Sequence, residues 1–377
     1  MRSKTMRTGQ AHARLYQRLR SVHLERAHDQ PSAALLYLER SYDFDEALVD
    51  GLEIIHATTL TAPLIMLRSR VTVLEVNEPL YRRRLVRTLL TIAAARLSAA
   101  AHRHQLLVVT YAIENRDPNT DDAASSLRAR TRRSVDRVLS RRLADQIDRI
   151  AFGTSDSETL YKAVHGSSLR QARSTVIPAL PSPCDCHTPD HERDNDVVFV
   201  GAFDDRKGAR QLLAAWPYVC EELPSAQLTL AGKGPLIQEV RTMASMQQGA
   251  KVVEDPSRTE IHALLDNSCV LVLLSQPHPR WREQVGLPIV EGLAHGCTIV
   301  TSEQTGLAVW LASHGHSIVS STASPVTLAG EIVRALRDGR SPTSVLADLP
   351  DIDGRAAADE WMFADSPKPR GQRHGVT

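Results

Sequence analysis

Short apolar runs alternate with longer helical segments between residues 196 and 338. The run "DVVFVGAF" (196–203) is apolar at consecutive positions, which is typical of a strand buried on both faces. Parallel strands need a long crossover between them, and helical segments such as 208–223 can supply it. The alternation therefore predicts a parallel sheet with helices on both faces. The other predicted strands of this region are 226–235, 250–255, 269–275, 297–302 and 316–321.

The first 180 residues show the same alternation with less regularity. The segments "RVTVLEVN" (70–77) and "LLVVTYAIEN" (106–115) are rich in β-branched residues and predict strands. Residues 80–104 and 127–146 have the spacing of amphipathic helices. Residues 1–30 lack a clear period, and we expect a helix or a loose arm there. Further strands are predicted at 52–60, 148–155 and 173–181, and residues 32–41 fit either a strand or a short helix.

The segment 181–195 separates these two α/β regions. Its sequence, "PSPCDCHTPDHERDN", is rich in Pro, Asp and His and poor in apolar residues, which is typical of a linker. We therefore predict an N-terminal domain at 1–180 and a C-terminal domain at 196–345. Residues 365–377 form a polar tail that we expect to be disordered.

The composition argues against several classes of function. A net charge of +1 gives no field that would attract nucleic acid, so no nucleic-acid partner is expected. No apolar run has the length of a membrane span, and the five cysteines are odd in number and scattered, which fits a reducing cytoplasm. Four metal-ligand residues lie close together in the linker, but their spacing is not a standard zinc pattern, and no metal site is predicted. These residues are Cys184, Cys186, His187 and His191.

The segment "REQVGLPIVEGLAHGCTIV" (282–300) concentrates polar chemistry after a predicted strand. Gly286 opens a predicted helix, with Pro288 at its first position, and the amides of a helix start favour a phosphate. A carboxylate beside a phosphate would repel it, so Glu291 in the first turn suits the hydroxyls of a ribose. Glu283, one loop earlier, suits the hydroxyls of a second sugar. The order sugar, diphosphate, ribose predicts a site for a nucleoside-diphosphate sugar.

The pair Glu283-x7-Glu291 with "GLP" inside it resembles the retaining GT-B glycosyltransferases of family 4, the glycosyl transferases group 1. Three further segments resemble the same family, in the same order along the chain. The resemblance is good over 196–340, weaker over 148–180 and poor before residue 148. The three segments are "VVFVGAFDDRKGARQLLAAW" (197–216), "PSAQLTLAGKGP" (224–235) and "SEQTGLAVWL" (302–311).

The resemblance implies a GT-B fold, in which two Rossmann-like domains face each other across a cleft. It implies that 196–345 binds the nucleotide-sugar donor, that 1–180 is a divergent acceptor-side domain, and that 346–364 forms a helix crossing back to the first domain. The implied reaction is retaining transfer of a hexosyl unit, without a metal or another cofactor, from a UDP- or GDP-linked sugar. The implied acceptor is a glycan, a lipid-linked or a small molecule, in a setting such as polysaccharide biosynthesis.

Roles for individual residues follow from the same resemblance. Glu283 is expected to contact the donor sugar and Lys207 to hold the phosphates, and these two are the expected catalytic residues. The expected donor-binding residues are Gly201, Arg206, Gly286, Leu287, Pro288, Glu291 and Gly306.

Simpler explanations exist for each of these side chains. Glu283 could form a surface ion pair with a neighbouring arginine, and Glu291 could be an acid favoured by a helix dipole. Lys207 could belong to an ordinary turn at a helix start.

The chain also departs from the family pattern. Ala202 stands where many members have Arg, and the N-terminal domain lacks the usual Gly-rich turn and a clear His after the strand at 106–115. Glu114 and Asn115 stand near that place, as residues of the cleft or as a cap of the next segment. These departures leave two alternatives, an inactive partner subunit that binds nucleotide sugar and another GT-B enzyme such as a nucleotide-sugar epimerase.

The predicted helix 80–104 carries six arginines, five of which are set on an apolar background. It could meet anionic lipid, which would place the protein at the inner face of the cell membrane. It could equally pack on the core with a basic face toward solvent. These five arginines are Arg82, Arg83, Arg84, Arg87 and Arg96.

Overall fold

The computed structural model describes residues 6, 10–41, 44–78, 84–117, 127–184, 193, 195–278 and 281–364. The chain divides into two compact units. Unit 1 comprises Met1–Pro178 and Arg355–Thr377, and unit 2 comprises Ala179–Gly354.

Unit 1 is built on a seven-stranded sheet with the order β3-β2-β1-β4-β5-β6-β7. All neighbouring strands are parallel. The strand order reverses direction between β1 and β4, as it does in doubly wound folds. The strands are β1 (His12–Leu19), β2 (Ala34–Arg40), β3 (Glu53–His56), β4 (Val73–Val76), β5 (Leu107–Ala112), β6 (Arg149–Phe152) and β7 (Arg173–Val176).

Helices connect these strands, as parallel pairing requires. The helix predicted at 80–104 begins later and ends earlier, and the one predicted at 127–146 ends two residues earlier. The helices are α1 (Ser21–Asp29), α2 (Thr61–Leu67), α3 (Leu85–Ala101), α4 (Leu127–Ala144) and α5 (Ser155–His165), and a 3-10 helix spans Glu46–Val49.

The prediction of a helix or loose arm at residues 1–30 is confirmed for helix α1 (Ser21–Asp29) and wrong for His12–Leu19, which form strand β1. This strand lies at the centre of the sheet, between β2 and β4. Arg14 on β1 is buried, and it forms an ion pair with Glu75 on β4. Its two terminal nitrogens also donate to Asp359 over 3.1 and 3.0 Å. A charged residue can occupy a central strand here because its partners neutralise it.

The prediction of a basic solvent face on α3 is wrong for Arg87. Its side chain is buried and donates to the carbonyl oxygens of Tyr16 at 3.2 Å and Ala57 at 2.9 Å. Arg84 forms an ion pair with Glu39 at 2.6 Å. Arg87 therefore makes hydrogen bonds to buried carbonyl groups, and Arg84 pairs with a carboxylate, all within unit 1. These arginines do not form a uniform basic face toward solvent. Two of the five arginines, Arg82 and Arg83, lie outside the described residues.

Unit 2 is built on a six-stranded parallel sheet with the order β10-β9-β8-β11-β12-β13. Apart from the edge strand β10, its strands are largely apolar and buried, because helices cover both faces. The strands are β8 (Asn195–Val200), β9 (Leu228–Gly232), β10 (Ala250–Glu254), β11 (Ser268–Leu273), β12 (Thr298–Ser302) and β13 (Ser317–Val319).

In the described part of unit 2, a helix follows each strand, and one further short helix comes after the last of these. The capping box predicted at Ser257–Glu260 is present, and it opens the third of these helices. The helices are α6 (Ala209–Glu222), α7 (Ile237–Ser245), α8 (Arg258–Asp266), α9 (Leu287–Ala294), α10 (Ala308–Ser313), α11 (Pro325–Arg337) and α12 (Pro342–Leu346). Two mixed α/β regions with parallel sheets were predicted, and this part of the prediction is confirmed.

A last helix, α13 (Gly354–Phe363), packs on the sheet of unit 1. Arg355 pairs with Glu75 at 2.5 Å and Asp359 with Arg14, so α13 completes a buried network of four charged side chains. Arg149 on β6 adds a hydrogen bond to the carbonyl oxygen of Trp361 at 3.1 Å. Among the described helices of both units, none is long and apolar enough to cross a membrane.

Candidate functional site

The sheet of unit 2 reverses its strand order between β8 and β11. In an open parallel sheet, the loops after two such strands diverge to opposite faces and leave a crevice that binds ligands. Lys207 lies in the segment after β8, and Glu283 lies in the segment after β11. The two expected catalytic residues therefore come from the two strands that form this crevice.

Lys207 and Glu283 form an ion pair between Nζ and Oε2. Ser275 Oγ, just beyond β11, donates to the same carboxylate oxygen over 3.1 Å. Glu283 is only 9% exposed, so the pair is largely withdrawn from solvent. A buried carboxylate is costly unless it is paired and hydrogen-bonded, and both conditions are met here. The simpler explanation for Glu283, a surface pair with a neighbouring arginine, stays a prediction, because Arg280 lies outside the described residues.

Trp281 lies against the cationic side of this pair. Its ring centroid is 5.0 Å from Lys207 Nζ and 4.7 Å from the guanidinium carbon of Arg206. Arg206 also donates from Nε to Asp204 Oδ2 over 3.2 Å. The tryptophan thus holds two positive charges beside one another by cation–π attraction. Arg206 is oriented by Asp204 and Trp281, beside the lysine with which it was predicted to bind the donor.

Gly208 explains how the loop carrying Lys207 comes so close to β11. Its φ is +78°, and a Cβ at this position would lie 2.2 Å from the carbonyl oxygen of Leu274. Any other residue would therefore collide with backbone and adopt a disfavoured left-handed conformation. Gly208 is also the N-cap of α6, so the turn that presents Lys207 is fixed to the start of that helix.

Gly286 is the N-cap of α9, with φ +86°. A Cβ there would lie 2.9 Å from Ile289 Cδ1 and 3.5 Å from Glu283 Cγ, so the helix start directly adjoins the carboxylate. Leu287 is the first helical residue and Pro288 the second, one position later than predicted. Because Pro288 has no N–H, the amides of Gly286 and Leu287 are those best suited to face an anion.

Glu291 is the fifth residue of α9, and its predicted position in the first turn is wrong. Its Oε1 accepts a hydrogen bond of 2.6 Å from Arg258 Nη1 on α8. The Glu291 side chain is 11% exposed and that of Arg258 is 50% exposed. The second carboxylate of the motif is therefore held by α8, while the first is held by the loop after β8.

The turn after β12 fixes the backbone around Glu283. The amide of Gly306 donates to the carbonyl oxygen of Gln284 at 3.1 Å, and Thr305 Oγ1 donates to that of Val285 at 2.9 Å. Glu283 and Thr305 form an isolated parallel β-bridge. The turn at Gly306 thus positions residues 283–285, and contact of Gly306 with a donor stays a prediction.

Gly201 closes β8 at the same edge of the sheet. Its carbonyl oxygen lies 1.8 Å from where a Cβ on Gly232 would stand, so the ends of β8 and β9 approach each other closely. Only glycine at position 232 permits that approach. The structure places Gly201 at the rim of the crevice, and its contact with a donor stays a prediction.

Four site residues were missed from the sequence: Ser275, Trp281, Asp204 and Arg258. Ser275 follows the apolar run of β11 directly, and Trp281 is an aromatic residue in a polar loop, so both could have been selected from the local sequence. Arg258 could not, because its contact with Glu291 depends on how α8 packs against α9.

In unit 1, two interacting carboxyl groups, those of Glu78 and Glu114, lie just after the carboxyl ends of strands β4 and β5. Glu114 and Asn115, the predicted cleft residues, follow β5, and Glu78 follows the neighbouring strand β4. Glu78 accepts a hydrogen bond from the amide of Ile113 at 3.0 Å, and its φ is +46°. Burial, and then the charge of Glu114, raises the pKa of Glu78 to about 8. A non-glycine residue in this conformation with a shifted pKa is typical of functional sites, though also of buried structural carboxyls.

The predicted cap role of Glu114 has direct support. Its Oε1 accepts a hydrogen bond from the backbone amide of Arg116 at 3.1 Å. Asn115 is buried, with 6% of its surface exposed. Contact of either side chain with a substrate stays a prediction.

Residues 194–338 match the family model of glycosyl transferases group 1. The match covers 145 of the 377 residues (338 − 194 + 1) and falls on the sheet and helices that carry the crevice. The sequence has no match among curated proteins.

Solved structures extend the similarity to both units. The Anabaena protein HepE, solved with UDP and glucose, has a TM-score of 0.61 at 13% identity, over 93% of this chain and 96% of that chain. The chain has the GT-B fold. The lipopolysaccharide outer core galactosyltransferase WaaB gives a TM-score of 0.60 at 11% identity, over 93% of this chain and 98% of that chain. WaaG, a glycosyltransferase involved in lipopolysaccharide biosynthesis, has a TM-score of 0.57 at 13% identity, over 92% of this chain and 98% of that chain. At these identities the GT-B likeness establishes architecture and leaves the chemistry to the site itself.

Proposed function

We propose that this chain is a retaining glycosyltransferase of family 4 that moves a hexosyl unit from a nucleoside-diphosphate sugar to an acceptor. The observation that carries the proposal is the buried ion pair of Lys207 and Glu283 beside the helix start at Gly286, at the switch point of the unit 2 sheet. The match of residues 194–338 to glycosyl transferases group 1 supports it.

The diphosphate would lie at the start of α9. The amides of Gly286 and Leu287 and the ammonium of Lys207 suit its negative charge, which grows as the sugar–phosphate bond breaks. Lys207 is held against Trp281 and Glu283, so it is positioned before the donor arrives. Such pre-positioned charges stabilise a transition state without a cost of reorganisation. We therefore propose that phosphate binding and transfer need no metal ion.

The two carboxylates would hold the sugars on either side. Glu283 adjoins Gly286 and would accept hydrogen bonds from hydroxyls of the hexose. Glu291, four residues further along α9 than Leu287, would accept from ribose hydroxyls with Arg258 keeping it in place. Because a plain nucleoside diphosphate has the ribose but no hexose, the contacts of Glu283 would distinguish a nucleotide sugar from it.

The donor base is proposed to be uracil. The structurally similar HepE was solved with UDP and with UDP-glucose, and this similarity favours UDP over GDP as the first nucleotide to test.

The acceptor is proposed to be lipid-linked, at the inner face of a membrane. Helix α4 carries seven arginines and one acidic residue, Asp136, and it exposes Val135 and Val138 by 52% and 58%. Basic and apolar side chains on one surface helix favour an anionic membrane surface. The arginines are Arg128, Arg130, Arg132, Arg133, Arg137, Arg141 and Arg142.

The experiment that tests the proposed function is thermal unfolding with a panel of nucleoside diphosphates and their sugars, on the native protein and on Glu291→Ala. A ligand at about one hundred times its dissociation constant adds roughly 2.7 kcal/mol to the free energy of unfolding. We expect UDP and UDP-hexoses to raise the melting temperature of the native protein and to have a much smaller effect on the variant. If no nucleotide shifts the native protein, the proposal is wrong.

Turnover separates the remaining alternatives. A transferase should release UDP slowly from a UDP-hexose by hydrolysis, whereas an inactive partner subunit would bind the donor and release nothing. An epimerase would yield an altered sugar, which chromatography of the products would reveal.

A further inference from the structure

Three side chains with metal-binding atoms converge at one end of α8 and α9. The ligand atoms of Cys184, His262 and His295 all lie within 4.8 Å of one another. His262 Nδ1 is 2.9 Å from His295 Nε2. His295 is buried, and the other two residues are half-buried.

The fold of unit 2 builds this cluster from three separate segments. His262 lies in the middle of α8, and His295 is the C-cap residue of α9. The backbone amide of Cys184 donates to the carbonyl oxygen of Ala294 over 2.9 Å, which fixes the cysteine beside the end of α9. The convergence thus joins positions that are 78 and 33 residues apart in the sequence (262 − 184 and 295 − 262).

A carboxylate lies next to Nδ1 of His295. Asp266, one turn after His262 on α8, has Oδ1 3.6 Å from His295 Nδ1. A histidine that ligates a metal through one ring nitrogen usually directs the other toward a carboxylate or carbonyl, which fixes its tautomer. With its Nδ1–H toward Asp266, His295 presents the lone pair of Nε2 to His262 and Cys184.

We propose that Cys184 Sγ, His262 Nδ1 and His295 Nε2 are three ligands of a Zn²⁺ ion. One thiolate and two imidazoles are ligands that Zn²⁺ prefers, and bonds of about 2.0–2.1 Å to nitrogen and 2.3 Å to sulfur place such atoms about 3.3–3.6 Å apart in a tetrahedron. Because the three atoms already lie within 4.8 Å of one another, shifts of about 1 Å bring them to that spacing. This site is separate from the phosphate position at the start of α9.

The redox state of Cys184 decides whether the site is complete. Cys184 is disulfide-bonded in the structure. A disulfide sulfur does not act as a thiolate ligand, so the ion binds the reduced chain. The disulfide and the metal are therefore alternative states of this sulfur.

The site would set the register of α8 against α9. Arg258 precedes His262 by four residues on α8, and Glu291 precedes His295 by four residues on α9. The pairs Arg258–Glu291 and His262–His295 are thus successive contacts, one helical turn apart, between the same two helices. A metal ion bound by His262 and His295 would also stabilise the neighbouring contact of Arg258 with Glu291, the expected ribose ligand.

Metal content of the full chain, purified under a thiol reductant, tests the assignment. By mass spectrometry of the elements, we expect about one zinc per chain in the native protein, and a loss of tenfold or more in affinity for Cys184→Ser and His262→Gln. The matched controls are Cys220→Ser and His314→Gln, which alter the same residue types elsewhere in unit 2 and should keep the metal.

Cobalt substitution gives a second measurement that does not depend on activity. The native chain loaded with Co²⁺ should show a thiolate-to-cobalt charge-transfer band, and Cys184→Ser should lose that band while keeping its helical circular dichroism. A reduced native protein without zinc and without this band would overturn the assignment, as would unchanged metal binding in Cys184→Ser. Because neither readout uses a nucleotide, failure of the proposed glycosyl transfer would leave this test intact.

Discussion

Lys207 and Glu283 are 76 residues apart in the sequence and form one buried ion pair at the switch point of the unit 2 sheet. Loss of the ammonium would remove the cation expected on the diphosphate and leave a buried carboxylate without its partner. We expect Lys207→Ala and Glu283→Gln each to lower kcat for UDP release by about 10²–10³-fold, the usual effect of removing one stabilising group from a transition state.

A matched lysine separates this effect from a general loss of charge. Lys233 follows β9 at the same sheet edge and pairs with Asp255 at 2.7 Å, but both side chains are more than half exposed. Lys233→Ala should keep kcat within about twofold, because exposed pairs contribute little. Equal losses of kcat in Lys207→Ala and Lys233→Ala would contradict the role given to Lys207.

Arg258 is expected to act on donor affinity through Glu291. Its hydrogen bond of 2.6 Å uses one carboxylate oxygen and restricts the side chain to one orientation. Because Arg258 is half exposed, the pair is screened, and Arg258→Gln should raise KM for the donor only about three- to tenfold with kcat nearly unchanged. Glu291→Ala should raise the same KM further. A fall in kcat without a change in KM for Arg258→Gln would contradict a positioning role on the ribose side.

The sequence predicted unit 2 better than unit 1, and the reason lies in where charges are buried. Several strands of unit 2, such as β8 and β11, contain apolar runs of four or five residues, so the alternation of strands and helices is visible locally. Strand β1 of unit 1 contains Arg14, Gln17 and Arg18, which hide its apolar pattern. Arg14 is tolerated there because of Glu75, 61 residues away, and Asp359, 345 residues away. No local window of sequence contains that information.

The candidate site, too, was predicted only in part from local sequence, because some of its contacts are made between distant residues. The pair Glu283 and Glu291 and the turn at Lys207 were predicted from spacing and resemblance. That Lys207 meets Glu283 depends on the strand order, in which β8 neighbours β11 although β9 and β10 lie between them in the sequence. The clamp of Arg258 on Glu291 depends likewise on helix packing. Local sequence therefore predicts several of the candidate site residues, and the topology determines which of them touch and brings in others, such as Arg258.

Gly208→Ala should destabilise the protein substantially. The φ of +78° is disfavoured for alanine, and its Cβ would lie 2.2 Å from the backbone oxygen of Leu274, which cannot rotate away. We expect a loss of about 2–4 kcal/mol in the free energy of unfolding, measured by urea denaturation.

Gly330→Ala is the matched control for that substitution. Gly330 lies within α11 and a Cβ there has no neighbour within 4 Å, so alanine should stabilise by about 0.5–1 kcal/mol through its higher helix propensity. Opposite signs for the two variants would support the strained turn, and similar small effects would argue against it.

Helix α4 is expected to bind anionic lipid. Replacing Arg128, Arg130 and Arg132 by Gln removes three exposed charges, each contributing about 1 kcal/mol near an anionic surface. In sedimentation with phosphatidylglycerol vesicles at low salt, the triple variant should bind at least tenfold more weakly than the native protein. Three arginines of unit 2, Arg210, Arg241 and Arg337, are also at the surface, and their replacement should have little effect. Equal losses in both triple variants would indicate nonspecific charge attraction instead.

Glu78 should make the stability of unit 1 fall as the pH rises. Burial, and next the charge of Glu114, raises the pKa of Glu78 from its ordinary value of 4.5 to about 8. Between these values the folded protein binds a proton that the unfolded chain has released, so the free energy of unfolding decreases with increasing pH. The contribution of the protonated group is complete below 4.5 and is lost as the pH passes about 8.

The variant Glu78→Gln keeps the shape of the protonated carboxyl and cannot ionise. We expect its urea midpoint to match that of the native protein near pH 5 and to exceed it clearly near pH 8.5. Tyr161, which donates to Glu78 Oε2 over 3.4 Å, and Glu114 are the neighbouring groups whose own titration could contribute, so Tyr161→Phe and Glu114→Gln are measured in parallel. Glu46→Gln, at an exposed carboxylate of the same unit, should leave the pH dependence as it is in the native protein. A native-like pH dependence in Glu78→Gln would show that this carboxyl is not the group that loses its proton near pH 8.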